Sequence, residues 1–282
     1  MTDPTHPRPS WLRETVALLR NHWWTLLAII VVTELAALLA GVAVPLAVYG
    51  GGDRLSVLDD SVRLAVVTAV PFALAGVFNA WTWAAVVEMF RGAGEGRRVR
   101  FGAALRRGVR RSGRLALWLG GVGLLRAAGS VYMFHALLDG YGTRGFQTTS
   151  AVMTAGSWYL TFATALLPLV VLFERRGLGR AWRLAHSRAA TIGQIVAVLA
   201  FGLAVDNLAD LVMTQLRPGA GYVWPVGVQV ATISAVGVLT ATVTMTALTV
   251  AYLRRVALPA APDPEPAPDA PEPVVIELGR TW

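Results

Sequence analysis

The chain has 282 residues, of which 55% are hydrophobic and 15% charged, and it contains no cysteine. Soluble domains carry about 25% charged residues, so this balance excludes an ordinary water-soluble globule and points to a membrane protein. The absence of cysteine excludes disulfides and thiolate metal sites, and the net charge of +8 comes from arginine without any lysine. These arginines fall between apolar segments instead of along one soluble face. That is the pattern of a membrane protein with one basic side, not of a phosphate-binding stripe, so membrane lipid is expected as partner and nucleic acid is not.

Residues 1–10 are polar, carry three prolines and are expected to be disordered. Ser10 is placed to cap a helix opening at Trp11, with Glu14 favourable in its first turn. Wrapped at helical period, residues 11–22 gather Trp11, Leu12, Thr15, Leu18 and Leu19 opposite Arg13, Arg20 and Asn21. This predicts a short helix in the membrane interface, with Trp23 and Trp24 at headgroup depth. The apolar run that follows exceeds the about 7–15 residues of a signal-peptide core, so it reads as a retained first span over residues 24–48. A second span covers residues 64–89, where Pro71 predicts a kink and Asn79 a polar contact.

A dense basic stretch then holds Arg91, Arg97, Arg98, Arg100, Arg106, Arg107, Arg110, Arg111 and Arg114 against Glu95 alone. In residues 101–115 Phe101, Ala104, Leu105, Gly108, Val109 and Leu115 share one arc and the arginines the other, predicting a second interfacial helix. The third span is residues 115–138 and the fourth 151–173, with Pro168 near its end. Residues 174–188 repeat the basic pattern: Leu178, Ala181, Trp182, Ala185 and Ala189 oppose Arg180, Arg183 and Ser187. The fifth span is residues 190–213, a turn at Pro218–Gly219 follows, and the sixth is residues 224–253. From residue 257 to 282 the chain is rich in Pro, Ala, Asp and Glu, an expected disordered tail whose patch at residues 274–278 could dock a protein partner. Deleting residues 259–282 is expected to leave the membrane domain folded, read as unchanged yield of inserted protein.

The expected fold is therefore all-α: a polytopic integral membrane protein with six transmembrane helices and three basic interfacial amphipathic helices. Residues 11–256 form the membrane domain, in repeat-like units over 11–90, 101–176 and 178–255. Only Arg54, Arg63, Arg144 and Arg217 fall in the alternate connections, and Arg126 falls inside a span; every other arginine lies on one side. Both termini are accordingly expected in the cytoplasm.

Glu34, Arg126, Asp206 and Asp210 lie within the odd-numbered spans. A charge at the bilayer centre costs about 2.5–3.5 kcal/mol on insertion scales, so such groups face a bundle interior and find partners. At about 1.5 Å per residue Glu34 and Arg126 sit at comparable depth, with the two aspartates nearer the opposite surface. The expectation is a cluster in which Arg126 bridges Glu34 and Asp206, serving either as a structural tie or as a solute or proton site. Thr242, Thr246 and Thr249 share a face of the sixth span and suit helix packing. Ala36 with Ala40, and Ala37 with Gly41, have the spacing for close helix approach. The four histidines have no metal-ligand spacing, and no cofactor or catalytic motif is found.

Residues 167–202, LPLVVLFERRGLGRAWRLAHSRAATIGQIVAVLAFG, resemble a signature of bacterial six-helix membrane proteins. There a span ends in proline and glutamate before an arginine-rich amphipathic helix, here marked by Pro168, Glu174, Gly177, Arg183 and Ser187. The group is the membrane-domain family attached to some glycerophosphodiester phosphodiesterases. The resemblance implies a six-helix bundle in a bacterial plasma membrane with a membrane-anchoring or lipid-associated role. It does not carry the phosphodiesterase chemistry: the His-Arg-Gly of that separate soluble barrel is missing here.

The leading functional expectation is a non-enzymatic protein that binds or organises anionic lipid at the inner leaflet through Arg106, Arg107, Arg110, Arg111, Arg114, Arg180 and Arg183. The equally weighted alternative for these arginines is that they set topology alone. A transporter or permease-like module built on Glu34, Arg126 and Asp206 is the second functional reading.

Overall fold

The computed structural model describes residues 10–49, 61–95, 99–138, 143–215 and 226–257. The tail, all but Ser10 of the N-terminal segment, and the expected turn at Pro218–Gly219 lie outside these residues. The described chain is helical: α1 (Trp11–Tyr49), α2 (Ser61–Gly94), α3 (Phe101–Arg111), α4 (Gly113–Leu138), α5 (Thr143–Thr164), the short α6 (Leu167–Leu169) running into a π-helical turn (Val170–Glu174), α7 (Leu178–His186), α8 (Ala189–Gln215) and α9 (Val226–Ala257). Six helical segments are long and apolar enough to cross a membrane, as the hydropathy pattern requires.

Ser10 caps α1 as expected, its hydroxyl accepting from the Arg13 amide at 3.3 Å. The first basic segment differs from expectation. Residues 11–22 do not form a separate helix but continue into the span, giving one helix of 39 residues, about 58 Å long. No glycine or proline interrupts the chain between Trp11 and Leu26. Long-range contacts also hold the extension against α9: Trp11 Nε1 donates to the Ala247 carbonyl at 3.2 Å, and Glu14 pairs with Arg254 at 2.7 Å.

α2 is the central element, packed against α1, α3 and α4, while α9 packs against α1 and α8. The buried core is concentrated toward the arginine-rich ends of the helices. It joins Leu26, Ile29 and Ile30 of α1 to Trp83, Val86 and Phe90 of α2, with Leu115, Leu169, Ile195 and Tyr252. In lipid such a core is held by close van der Waals packing and interhelical hydrogen bonds, because lipid tails are as apolar as leucine. One such bond ties Thr82 to Thr33 at 2.7 Å. The helix-packing reading of the sixth span also fits: Thr242, Thr246 and Thr249 are fully buried, each hydroxyl donating to the carbonyl four residues back.

Glycine permits the closest helix approaches, though not at the positions expected. A Cβ on Gly41 would meet nothing within 4 Å, so the alanine–glycine spacing of α1 makes no close contact there. A Cβ on Gly108 would lie 2.6 Å from the Ala85 amide nitrogen, and one on Gly76 would lie 2.4 Å from the Leu119 carbonyl oxygen. α2 contains Pro71 within its length. Asn79 is exposed, and among the described residues its side chain forms no hydrogen bond.

Candidate functional site

The polar chemistry of the chain divides into an ion-paired layer at the arginine-rich end and isolated charges farther along the spans. Three glutamates organise the layer. Glu14 accepts from both Nε and Nη2 of Arg254, at 2.7 and 2.8 Å, in the side-on geometry that favours arginine over lysine. Glu88 is 9% exposed and receives Arg91 at 2.9 Å together with Arg111. Glu174 receives Arg180 at 2.9 Å and the Tyr252 hydroxyl at 2.9 Å.

The backbone that delivers Glu174 is unusual. Pro168 has no amide hydrogen to continue the helical ladder, and the chain responds with a turn at Ala165–Leu166 and then the π-helical turn. Arg175 follows in the left-handed region, with φ of 54°. A non-glycine residue there costs roughly 1–2 kcal/mol. Its carbonyl accepts a 2.6 Å hydrogen bond from Arg114, which helps to offset that cost. Gly177 then passes beside the Trp118 ring, where a Cβ would come within 3.2 Å. Phe173 stacks on Tyr252 at 5.5 Å between ring centres, and the Arg91 guanidinium lies 5.4 Å from the Phe173 ring centre. The residues that end the second, fourth and sixth spans therefore meet in one place.

This layer sorts the arginines predicted as lipid contacts. Arg111 and Arg180 are ion-paired, Arg114 is bonded to the Arg175 carbonyl, and Arg183 reaches the Gly179 carbonyl at 3.4 Å. Arg106, Arg107 and Arg110 are exposed on α3, and among the described residues none has a carboxylate partner. The same short helix buries Ala104 and Gly108, so its packing holds these three side chains outward.

The charges inside the spans do not gather. Glu34 lines a cleft of about 440 Å³ between α1 and α9, with Val31, Leu38, Ser234 and Val238. Asp206 and Asp210 line a second cleft, about 310 Å³, between α8 and α9, with Gln229 and Thr232. α9 is the shared wall of the two clefts. Arg126 lies on α4, where its Nη2 donates to the Thr161 hydroxyl at 2.6 Å. The expected bridge from Arg126 to Glu34 and Asp206 is thus not formed among the described residues. α2 packs against both α1 and α4, and Arg126 turns toward α5 instead of toward a common centre.

Along the sequence Glu174 marks the end of a span, Glu14 is a first-turn acid, and Glu88 stands one residue inside the end of the second span. The available signal was that each is an isolated carboxylate at the border between a basic cluster and an apolar run. Comparison with known proteins does not supply a role for any of these groups: no family model, curated protein or solved structure matches the chain.

Proposed function

We propose that this chain is a non-enzymatic, multi-pass protein of the bacterial plasma membrane that engages anionic lipid at the inner leaflet. In this reading both termini are cytoplasmic, and α3 and α7 lie in the interface as basic amphipathic helices. The carrying observation is that Arg106, Arg107 and Arg110 project from a helix anchored by its small buried face, while neighbouring arginines are already engaged. An arginine near an anionic leaflet contributes about 1 kcal/mol, so three act together as a weak, salt-sensitive anchor. The resemblance to the membrane-domain family found beside glycerophosphodiester phosphodiesterases, carried by the motif around Pro168 and Glu174, supports such a role.

The test compares the full chain in nanodiscs of phosphatidylcholine with and without phosphatidylglycerol. Phosphatidylglycerol is expected to raise the melting temperature at low salt. The Arg106→Gln, Arg107→Gln, Arg110→Gln variant is expected to lose most of that gain, corresponding to about 3 kcal/mol of lipid contact. An undiminished, salt-insensitive gain in the variant would refute lipid binding by α3. A transporter reading is favoured by one observation only, the two carboxylate-lined clefts beside α9. It predicts that Glu34→Gln or Asp206→Asn abolishes uptake of a cationic solute, without requiring the Arg126 bridge.

A further inference from the structure

One stretch of α5 is left largely uncovered by the rest of the bundle. Every residue from Ala151 to Tyr159 is exposed, although Tyr159 at the end of this stretch meets the Trp182 ring of α7. Its polar residues are not scattered: Gln147, Ser150, Thr154, Ser157 and Thr161 recur at three- and four-residue steps and fall on one side. Such hydroxyls can satisfy themselves within a helix, and Thr161 does so by donating to the Ser157 carbonyl at 2.8 Å. Its oxygen is then left to accept, and the group it accepts from is Arg126 of α4. Ser130, one turn beyond Arg126 on α4, is likewise exposed.

Arg126 cannot satisfy itself in the same way. A guanidinium carries five N–H donors in a planar fork. Among the described residues Thr161 is its one acceptor, and no carboxylate is paired with it. It also lies deep, about 18 Å beyond Arg114 at the helical rise, where water and headgroups do not ordinarily reach. A group with several anionic oxygens matches the remaining donors, and phosphate does so in the side-on, two-bond geometry that arginine prefers. The surroundings favour a phosphate that arrives on a lipid. Exposed Trp158 of α5 and Leu125 of α4 lie beside the polar stripe and suit acyl chains.

We propose that the open furrow between α4 and α5 binds the phosphate of an anionic phospholipid, with Arg126 as its anchor and the hydroxyl stripe of α5 as the path along which the headgroup is accommodated. This site is separate from the α3 arginines and does not depend on them.

The test uses the full-length protein carrying Arg106→Gln, Arg107→Gln and Arg110→Gln, so that lipid bound at α3 does not mask the furrow. Binding of short-chain phosphatidylglycerol is measured in detergent, alongside inorganic phosphate as competitor. Adding Arg126→Gln is expected to weaken phosphatidylglycerol binding about tenfold or more, the loss of charge-assisted hydrogen bonds to one guanidinium. Arg126→Lys keeps the charge without the fork and is expected to lose several-fold with an unchanged melting curve, which preserves the test if the glutamine variant folds poorly. Inorganic phosphate is expected to compete only weakly. Equal competition by inorganic phosphate would overturn the lipid as occupant, and binding unaffected by either Arg126 substitution would overturn the site. A dimer that Arg126→Gln or Glu34→Gln alone converts to monomer, with lipid binding intact, would assign Arg126 to a second copy's Glu34 and overturn it too.

Discussion

Glu88→Leu is expected to lower the stability of the detergent-solubilised protein by about 3 kcal/mol, the lower end of the cost of stripping one partner from a buried ion pair. The carboxylate is 9% exposed and is shared by Arg91 and Arg111, so its removal leaves two cations without their anion. The cost stays at the lower end because both cations have somewhere to go. Arg111 is 57% exposed and can turn outward, and Arg91 keeps its position over Phe173 and its 3.5 Å contact with the Leu172 carbonyl. Arg111→Gln should therefore cost less than about 1 kcal/mol, as exposed pairs do. Glu88→Gln, which keeps an acceptor but no charge, should fall between. The ordering is read by tryptophan fluorescence during thermal unfolding. Equal losses for Glu88→Leu and Arg111→Gln would mean that the layer is held by packing and not by the shared carboxylate.

Gly76→Val is expected to approach that loss, by a different cause. The obstruction is backbone: a Cβ at Gly76 would stand 2.4 Å from the Leu119 carbonyl oxygen and 2.7 Å from its carbon. One turn away Gly123 has the reciprocal problem, with its Cβ position 2.4 Å from the Phe72 carbonyl oxygen. A flexible side chain could move aside, but two helix backbones can only separate, and separation forfeits the contacts along the whole seam. Overpacking of this kind costs about 1–3 kcal/mol, and Gly76→Ala should already show much of it. Gly41→Ala supplies the control. Open space surrounds that position, so the substitution should be neutral or gain up to about 1 kcal/mol from helix propensity. If Gly76→Ala and Gly41→Ala melted alike, close approach of α2 and α4 would not be limiting.

The two cases separate what was legible along the chain from what was not. Pro168 and Glu174 were visible as the end of a span, but not the π-helical turn that aims Glu174 at Tyr252. That geometry depends on Arg114 and Trp118 meeting residues far away in sequence. Small residues in α1 had the spacing for close approach, yet the contacts are made by Gly76, Gly108 and Gly123. Spacing identifies a narrow face without saying whether another helix lies against it. Thr242, Thr246 and Thr249 were read correctly because their hydroxyls are satisfied inside one helix, where local geometry suffices.

Residues alone determined that the chain is helical, that six of its segments are long and apolar enough to cross a bilayer, and that arginine gathers at one end of them. Those properties are sums over neighbouring positions, and the rise of a helix converts them directly into length. The tertiary structure alone decided which arginines are already engaged and which, among the described residues, are free of carboxylates, and that Glu34, Arg126 and Asp206 stand apart. A charge of known depth still has an unknown bearing around its helix axis relative to the other helices. That bearing is set by packing, here by α2 lying against both α1 and α4 and by glycines that let backbones touch.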